Sequence, residues 1–255
     1  MDIDIDLLTG IAVKAGEAIM SVYNDDRDAS VTYKADSSPL TLADKLSHKR
    51  IVADLTLHYP EIPILSEEGA HIPYEVRSEW EYYWCVDPLD GTKEFINRNG
   101  EFTVNIALIH RDTPVLGVIY VPCKNVLYYG DSKGSYRQKL IEGKVRIKTE
   151  SKPSNWTAVG SRSHADGTEA DFLSAYPVTR QLSAGSSLKF CLVAEGKAQI
   201  YFRSGPTMEW DTAAGHAIAV NSGAIMQGVN GEPFRYNKPS LLNPGFVCRV
   251  ELPQQ

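Results

Sequence analysis

The sequence predicts a layered α/β fold. Three observations predict it. Short apolar runs of strand length, bounded by turn residues, recur along the chain. Residues 1–60 carry two segments of helical character, and the second half alternates strand-like with helix-like segments. A chain of 255 residues, 43% of them hydrophobic and 23% charged, suits one domain, or two fused subdomains, with a substantial core.

In order, residues 4–23 form a helix, because Leu8, Ile11, Ala15, Ile19 and Val22 fall on one face. A short strand near 31–34 and a polar loop at 35–39 follow. A second helix starts at Thr41, where Thr41-Leu42-Ala43-Asp44 reads as a capping box, and it ends before Pro60. Two short strands, 62–65 and 82–86, run into acidic segments. Residues 102–109 and 115–121 make a strand pair joined by 110–114, and 127–138 make a hairpin around 130–134. Beyond these come a strand at 158–160, a helix at 166–175, a strand at 178–182, a helix at 186–195, a strand at 198–202, a helix at 211–220 and a last strand at 246–250. A Ser/Pro-rich patch near 148–155 divides the compact whole into subdomains 1–150 and 151–255.

Several classes are disfavoured. A net charge of −6 repels a nucleic-acid polymer, which needs basic patches, although a small anion remains bindable where a metal or local cations reverse the field. No apolar run reaches the roughly 18–20 residues of a membrane span. The start, Met1-Asp2-Ile3-Asp4-Ile5-Asp6, lacks the basic and apolar regions of a signal peptide. Cys85, Cys123, Cys191 and Cys248 form no CxxC pair, which argues against a zinc site or a disulfide framework. The expectation is a cytoplasmic protein, at most peripheral at the inner membrane; nothing in the sequence specifies an oligomeric state. No two of the 19 glycines stand two positions apart, so GxGxxG is absent, as are Walker A and HExxH.

The strongest local signal is Trp84-Cys85-Val86-Asp87-Pro88-Leu89-Asp90-Gly91-Thr92. A buried strand is expected to end at Val86, placing Asp87 and Asp90 on a turn fixed by Pro88 and Gly91. Two carboxylates so close repel unless a cation lies between them, and all-oxygen ligation suits Mg²⁺. A plain surface turn rich in Asp and Gly explains the segment about equally well when taken alone. Glu67 and Glu68 also follow a strand, though an acidic solvated loop is the simpler reading of that pair. Asp211 opens a helix, where Asp is common as an N-cap, and Asp44 serves the capping box. Each is weak alone; together they put four or five carboxylates at element ends, which core packing does not require.

The order Asp44, Ser66-Glu67-Glu68, Asp87-Pro88-Leu89-Asp90-Gly91-Thr92 and Trp210-Asp211-Thr212-Ala213-Ala214-Gly215 resembles the inositol monophosphatase superfamily over nearly the whole chain. The stretches Asp90–Phe95 and 99–105 resemble its bisphosphate nucleotidase branch most. Two features depart from the pattern: Ser222-Gly223-Ala224 stands where a double glycine is common, and Glu209 directly precedes the Trp-Asp pair. The resemblance implies an α-β-α-β-α sandwich of the inositol monophosphatase and fructose bisphosphatase type. It also implies that Glu67, Asp87 and the Leu89 carbonyl hold one Mg²⁺, that Asp87, Asp90 and Asp211 hold a second, and that some members bind a third through Glu67. Thr92 and Asp44 would manage the attacking water. Gly91, Thr92, His164, Ser186, Lys189 and Arg203 would contact the substrate; without the resemblance, an exposed helix lysine and a loop histidine are the simpler readings of Lys189 and His164. Inhibition by Li⁺ and Ca²⁺ is expected on the same ground.

The implied activity is hydrolysis of the 3′(2′)-phosphate of an adenosine bisphosphate, with its sulfated relative as a further candidate substrate. An inositol- or sugar-phosphate phosphatase is the alternative within the superfamily. A non-catalytic nucleotide-binding regulator is disfavoured by the intact set Asp44, Glu67, Asp87, Asp90, Thr92 and Asp211.

Overall fold

The computed structural model describes residues 3–25, 32–33, 39–139, 142–150, 154–161 and 167–252. Helix α1 (Ile5–Tyr23) is capped by Asp4, whose carboxylate accepts from the Asp6 and Leu7 amides. Strands β1 (Thr32–Tyr33) and β2 (Pro39–Leu40) pair antiparallel, so Pro39, expected in a loop, belongs to a strand. Helix α2 (Leu42–His58) begins with the expected capping box.

The first large sheet holds β3 (Ile64–Ser66), β4 (Tyr82–Asp90), β5 (Thr103–His110), β6 (Thr113–Val121), β7 (Val126–Asp131), β8 (Gly134–Lys139) and β9 (Gly143–Ile147), in that spatial order. β3 pairs parallel to β4 and every other pair is antiparallel. Short helices α3 (Tyr74–Arg77) and α4 (Thr92–Ile96) flank β4. The second sheet has the order β11-β10-β12-β16-β14, from β10 (Trp156–Gly160), β11 (Val178–Ser183), β12 (Ile200–Arg203), β14 (Ile225–Gly228) and β16 (Phe246–Arg249). Between its strands lie α5 (Gly167–Leu173), α6 (Leu188–Ala194) and α7 (Glu209–Asn221), with the short pair β13 (Thr207–Met208) and β15 (Leu242–Asn243).

Strand alternation generates the layers. Trp84 and Val86 face the core shared with α1 and α2, whereas Tyr83 and Cys85 face α6, α7 and the inner side of the second sheet. The outer side of that sheet, through Trp156, Ala158 and Phe202, meets Leu173 and Phe172 of α5. The result is the α-β-α-β-α sandwich that the resemblance implies. Helix α7 lies very close to the first sheet: a Cβ on Gly117 would overlap the carbonyl oxygen of Ala214.

Several boundaries differ from expectation. β4 does not stop at Val86 but continues to Asp90 through a register irregularity between Asp87 and Asp90. The two aspartates therefore sit on a bulged strand end, not on a turn beyond it. The link between β5 and β6 is only Arg111 and Asp112, and α7 starts two residues before Asp211. β9 and β14 went unread because they are short, and β9 is a largely exposed edge strand without an apolar run. No described helix is long and apolar enough to cross a membrane.

Candidate active site

The bulged end of β4 carries the site. Because β3 runs parallel to β4 with Ser66 opposite Val86, and the Glu67 amide donates to the Val86 carbonyl at 3.1 Å, Glu67 just past the end of β3 comes beside Asp87 within β4. Asp87 is buried, and one carboxylate oxygen accepts from the Leu89 amide at 3.0 Å. Burial, and then the charges of Glu67, Asp90 and Asp211, push its carboxyl well above the ordinary range.

Asp90 reaches across the molecule. Its Oδ2 accepts from the Ser187 amide at 2.6 Å and from Asn105 Nδ2 at 3.3 Å. Burial raises its pKa, and Lys189 opposes that most strongly. Asp211 is the third residue of α7 and accepts from the Met208 amide at 2.7 Å, the position and bond of a capping box. Burial and then Asp90 raise its pKa well above normal. Among the described residues, no three His, Cys, Asp or Glu side chains stand as a closed ligand shell; the carboxylates share a region, each steadied by its own backbone amide. Their chemistry fits a hard divalent cation, since every candidate ligand is oxygen and the buried charges raise one another's pKa.

Asp44 approaches from α2. Its Oδ2 accepts from the amide and hydroxyl of Thr41 at 2.8 and 2.6 Å, which leaves Oδ1 for Thr92 Oγ1 at 3.4 Å. Burial raises its pKa to about 6, against the pull of the Thr41 donors. Ser47 of the same helix donates to the Pro88 carbonyl at 2.7 Å, tying α2 to the bulge. Thr92 follows Gly91, whose φ of +90° favours glycine.

Asp90, Gly91 and Asp211 open onto a cavity of about 150 Å³ that Ser186, Lys189 and Arg203 also line. Lys189 is not the exposed helix residue that its sequence context suggests. It is 5% exposed; Nζ donates to the Ser186 and Ala184 carbonyls at 2.6 and 3.3 Å and lies over the Tyr201 ring. Burial lowers its pKa while Asp90 holds it up. Ser186 adopts a left-handed φ of +48°, and its hydroxyl has no partner among the described residues. Arg203 ends β12, with Nε on the Gly205 carbonyl at 3.3 Å. His164 lies outside the described residues. Sequence reasoning missed Asn105 and Ser187, which both bond Asp90. A lone amide inside the apolar run of β5 was the available signal for Asn105; only tertiary contact reveals Ser187.

The acidic end of β4, faced by Lys189 and Arg203 across one cavity on an α-β-α-β-α frame, defines a class. The chain belongs to the inositol monophosphatase family, whose sequence profile matches residues 4–249. Within that family it is similar to the 3′(2′),5′-bisphosphate nucleotidase CysQ of Escherichia coli K12, with 47% identity over 248 residues, 96% of this chain and 99% of the relative. The CysQ of Salmonella typhimurium LT2 is 48% identical over 242 residues, 94% and 97% of the two chains. Among solved structures, CysQ of Bacteroides thetaiotaomicron aligns with a TM-score of 0.84 at 45% identity and 96% coverage of both chains. The suhB protein of Bartonella henselae, at 22% identity and a TM-score of 0.80, shares the fold.

Proposed function

We propose that this protein is a Mg²⁺-dependent 3′(2′),5′-bisphosphate nucleotidase that converts adenosine 3′,5′-bisphosphate to AMP and phosphate. The observation that carries this is its 47–48% identity, over nearly full length, to nucleotidases of that name. CysQ enzymes and the wider family work with Mg²⁺. In the reading put forward here, Glu67, Asp87 and the Leu89 carbonyl would hold one ion, Asp87, Asp90 and Asp211 a second, and Glu67 would share a third. Bound there, Mg²⁺ supplies Lewis-acid stabilisation of phosphoryl charge and eases deprotonation of water.

The protein groups do the positioning. Asp44, fixed by Thr41, accepts a hydrogen bond from the Thr92 hydroxyl, so a lone pair of Thr92 Oγ1 is free to accept from the attacking water. That water adds to phosphorus, the bond to the sugar 3′-oxygen breaks, and the departing oxygen takes up a proton. Gly91 and Thr92, at the start of α4, present backbone amides without intrahelical acceptors to the phosphoryl oxygens. Lys189 spends two of its donors on carbonyls, leaving a third for the substrate's second phosphate. The terminal nitrogens of Arg203 offer that phosphate a fork, and Ser186 and His164 complete the nucleotide contacts. Larger Ca²⁺ holds ligands loosely and should inhibit, as should Li⁺. Four unpaired thiols suit a reducing compartment, the cytoplasm.

The test is phosphate release with Mg²⁺ from adenosine 3′,5′-bisphosphate, inositol 1-phosphate and fructose 1,6-bisphosphate. The nucleotide should be strongly preferred and excess EDTA should abolish turnover. Preference for inositol 1-phosphate would replace this reading with the alternative superfamily activity.

A further inference from the structure

Glu209 is fully buried at the first position of α7. Its two oxygens accept from the Asn237 amide at 2.8 Å, the Lys238 amide at 3.0 Å and Lys238 Nζ at 2.6 Å. Lys238 Nζ also donates to the Arg235 carbonyl and to Asn243 Oδ1. Asn243 in turn donates to the Met208 carbonyl at 2.8 Å and to Thr212 Oγ1 at 3.1 Å. The two residues flanking the Trp210-Asp211 pair and the residue that caps α7 are thus all fixed to residues 235–243.

The same segment is gripped from the opposite side. Arg77 is 2% exposed, although it stands on a four-residue surface helix. Its Nη1 donates to Asn237 Oδ1 at 2.8 Å and its Nη2 to the Lys238 and Pro239 carbonyls at 3.1 and 3.4 Å, while Asn237 Nδ2 returns a bond to the Arg77 carbonyl. Arg77 Nε holds the Ile72 carbonyl at 3.1 Å, within the stretch that leads away from Glu67. Residues 237–239 therefore clasp the Glu67 segment to the N-terminus of α7, across about 160 positions of sequence. Buried ion pairs are poor sources of stability, because apolar residues of the same volume do as well or better. What a charge-assisted lattice provides in exchange is a single geometry.

We infer that Glu209 and Arg77 are positioning residues, a buried clasp that sets the Glu67 segment and Asp211 at the mutual placement needed for the metal site. This rests on the reading above that Glu67 and Asp211 are ligands. Neither clasp residue lines the cavity. Loosening the clasp should weaken metal binding by about 10-fold, the lower end of what losing a ligand's own hydrogen-bond partner costs, because the clasp acts one bond further out.

The experiment follows Mg²⁺ binding to the metal-free, full-length protein by the rise of Tm with Mg²⁺ concentration. The variants are Glu209→Gln, Arg77→Lys, which keeps the charge and loses the fork, and Asp211→Asn. The inference expects both clasp variants to need about 10-fold more Mg²⁺ for the half-maximal rise. Clasp variants that lower the metal-free Tm but respond to Mg²⁺ as wild type does, beside an impaired Asp211→Asn, would overturn the clasp and leave the site. A normal Mg²⁺ response in Asp211→Asn would remove the site itself, and the inference with it. Should Glu209→Gln fail to fold, Arg77→Lys decides between the same outcomes.

Discussion

Asp90 joins the first sheet to the start of α6 through one carboxylate. Its Oδ2 takes the Ser187 amide from the second half and Asn105 from the first, beside the buried ammonium of Lys189. Asp90→Asn keeps the shape and an acceptor for Ser187 but removes the charge. Turnover should fall by roughly three orders of magnitude at saturating Mg²⁺. Metal-free stability should change little, because relief of repulsion with Asp87 and Asp211 is opposed by the loss of the counter-charge to Lys189. Steady-state kinetics beside a urea melt checks both, and wild-type rates would make Asp90 a structural bulge residue only. Arg203 lines the same cavity as Asp90 and Asp211, and its charge reaches Asp211. A charge-assisted contact to a second phosphate is worth about 1.5–3 kcal/mol, so Arg203→Ala should cost about 10- to 150-fold in kcat/KM for adenosine 3′,5′-bisphosphate. Any residual rate on inositol 1-phosphate should fall much less; an equal loss on both substrates would assign Arg203 to the fold.

At the scale of elements, the N-terminus of α2 serves the helix and the site together. Thr41 caps the helix, and its hydroxyl and amide immobilise the Asp44 oxygen that faces away from Thr92. Thr41→Val preserves volume, removes the hydroxyl and leaves a buried carboxylate one donor short. The expected cost is about 1–2 kcal/mol in urea unfolding, together with a fall in kcat at unchanged Mg²⁺ requirement, because Asp44 is no metal ligand here. Lost stability with intact kcat would reduce Thr41 to a helix cap. Helix α7 has the same double character: the absence of a side chain at Gly117 lets it rest on the first sheet, and that depth brings Asp211 level with the bulge of β4.

Across the whole molecule, the buried acids share one direction of shift. Asp44 lies at about 6, and burial among other carboxylates also holds Asp87 and Asp211 well above the ordinary value of 3.8. An acid whose pKa is higher folded than unfolded binds more protons in the folded state, so stability is lost as pH rises between the two values. For Asp44 alone the loss amounts to roughly 3 kcal/mol, complete above about pH 6. Metal-free protein in EDTA should therefore show a Tm that falls from pH 5 to pH 8. Saturating Mg²⁺ should raise Tm most at the alkaline end, where ionisation of the clustered carboxylates is furthest advanced and a cation offsets their repulsion. A Tm in EDTA that climbs with pH would contradict the raised pKa values.

The sequence by itself determined the helices with clear periodicity, the capping box at Thr41, most of the strands that pair in the two sheets, and the acidic motifs whose order marks the family. Each element and each motif is a local property, written within a short run of residues, and the order of the motifs is read directly along the chain. It did not determine the course of β4 through Asp87 and Asp90, because Pro88 and Gly91 read as a turn wherever no partner strand is known, and β5 supplies that partner. Nor did it determine the burial of Lys189, the bond from Ser187 to Asp90, or the grip of Arg77 and Glu209 on residues 237–239. Those were decided by tertiary structure, since a polar side chain far along the chain acquires its role only when packing removes water and leaves another buried polar group as its partner.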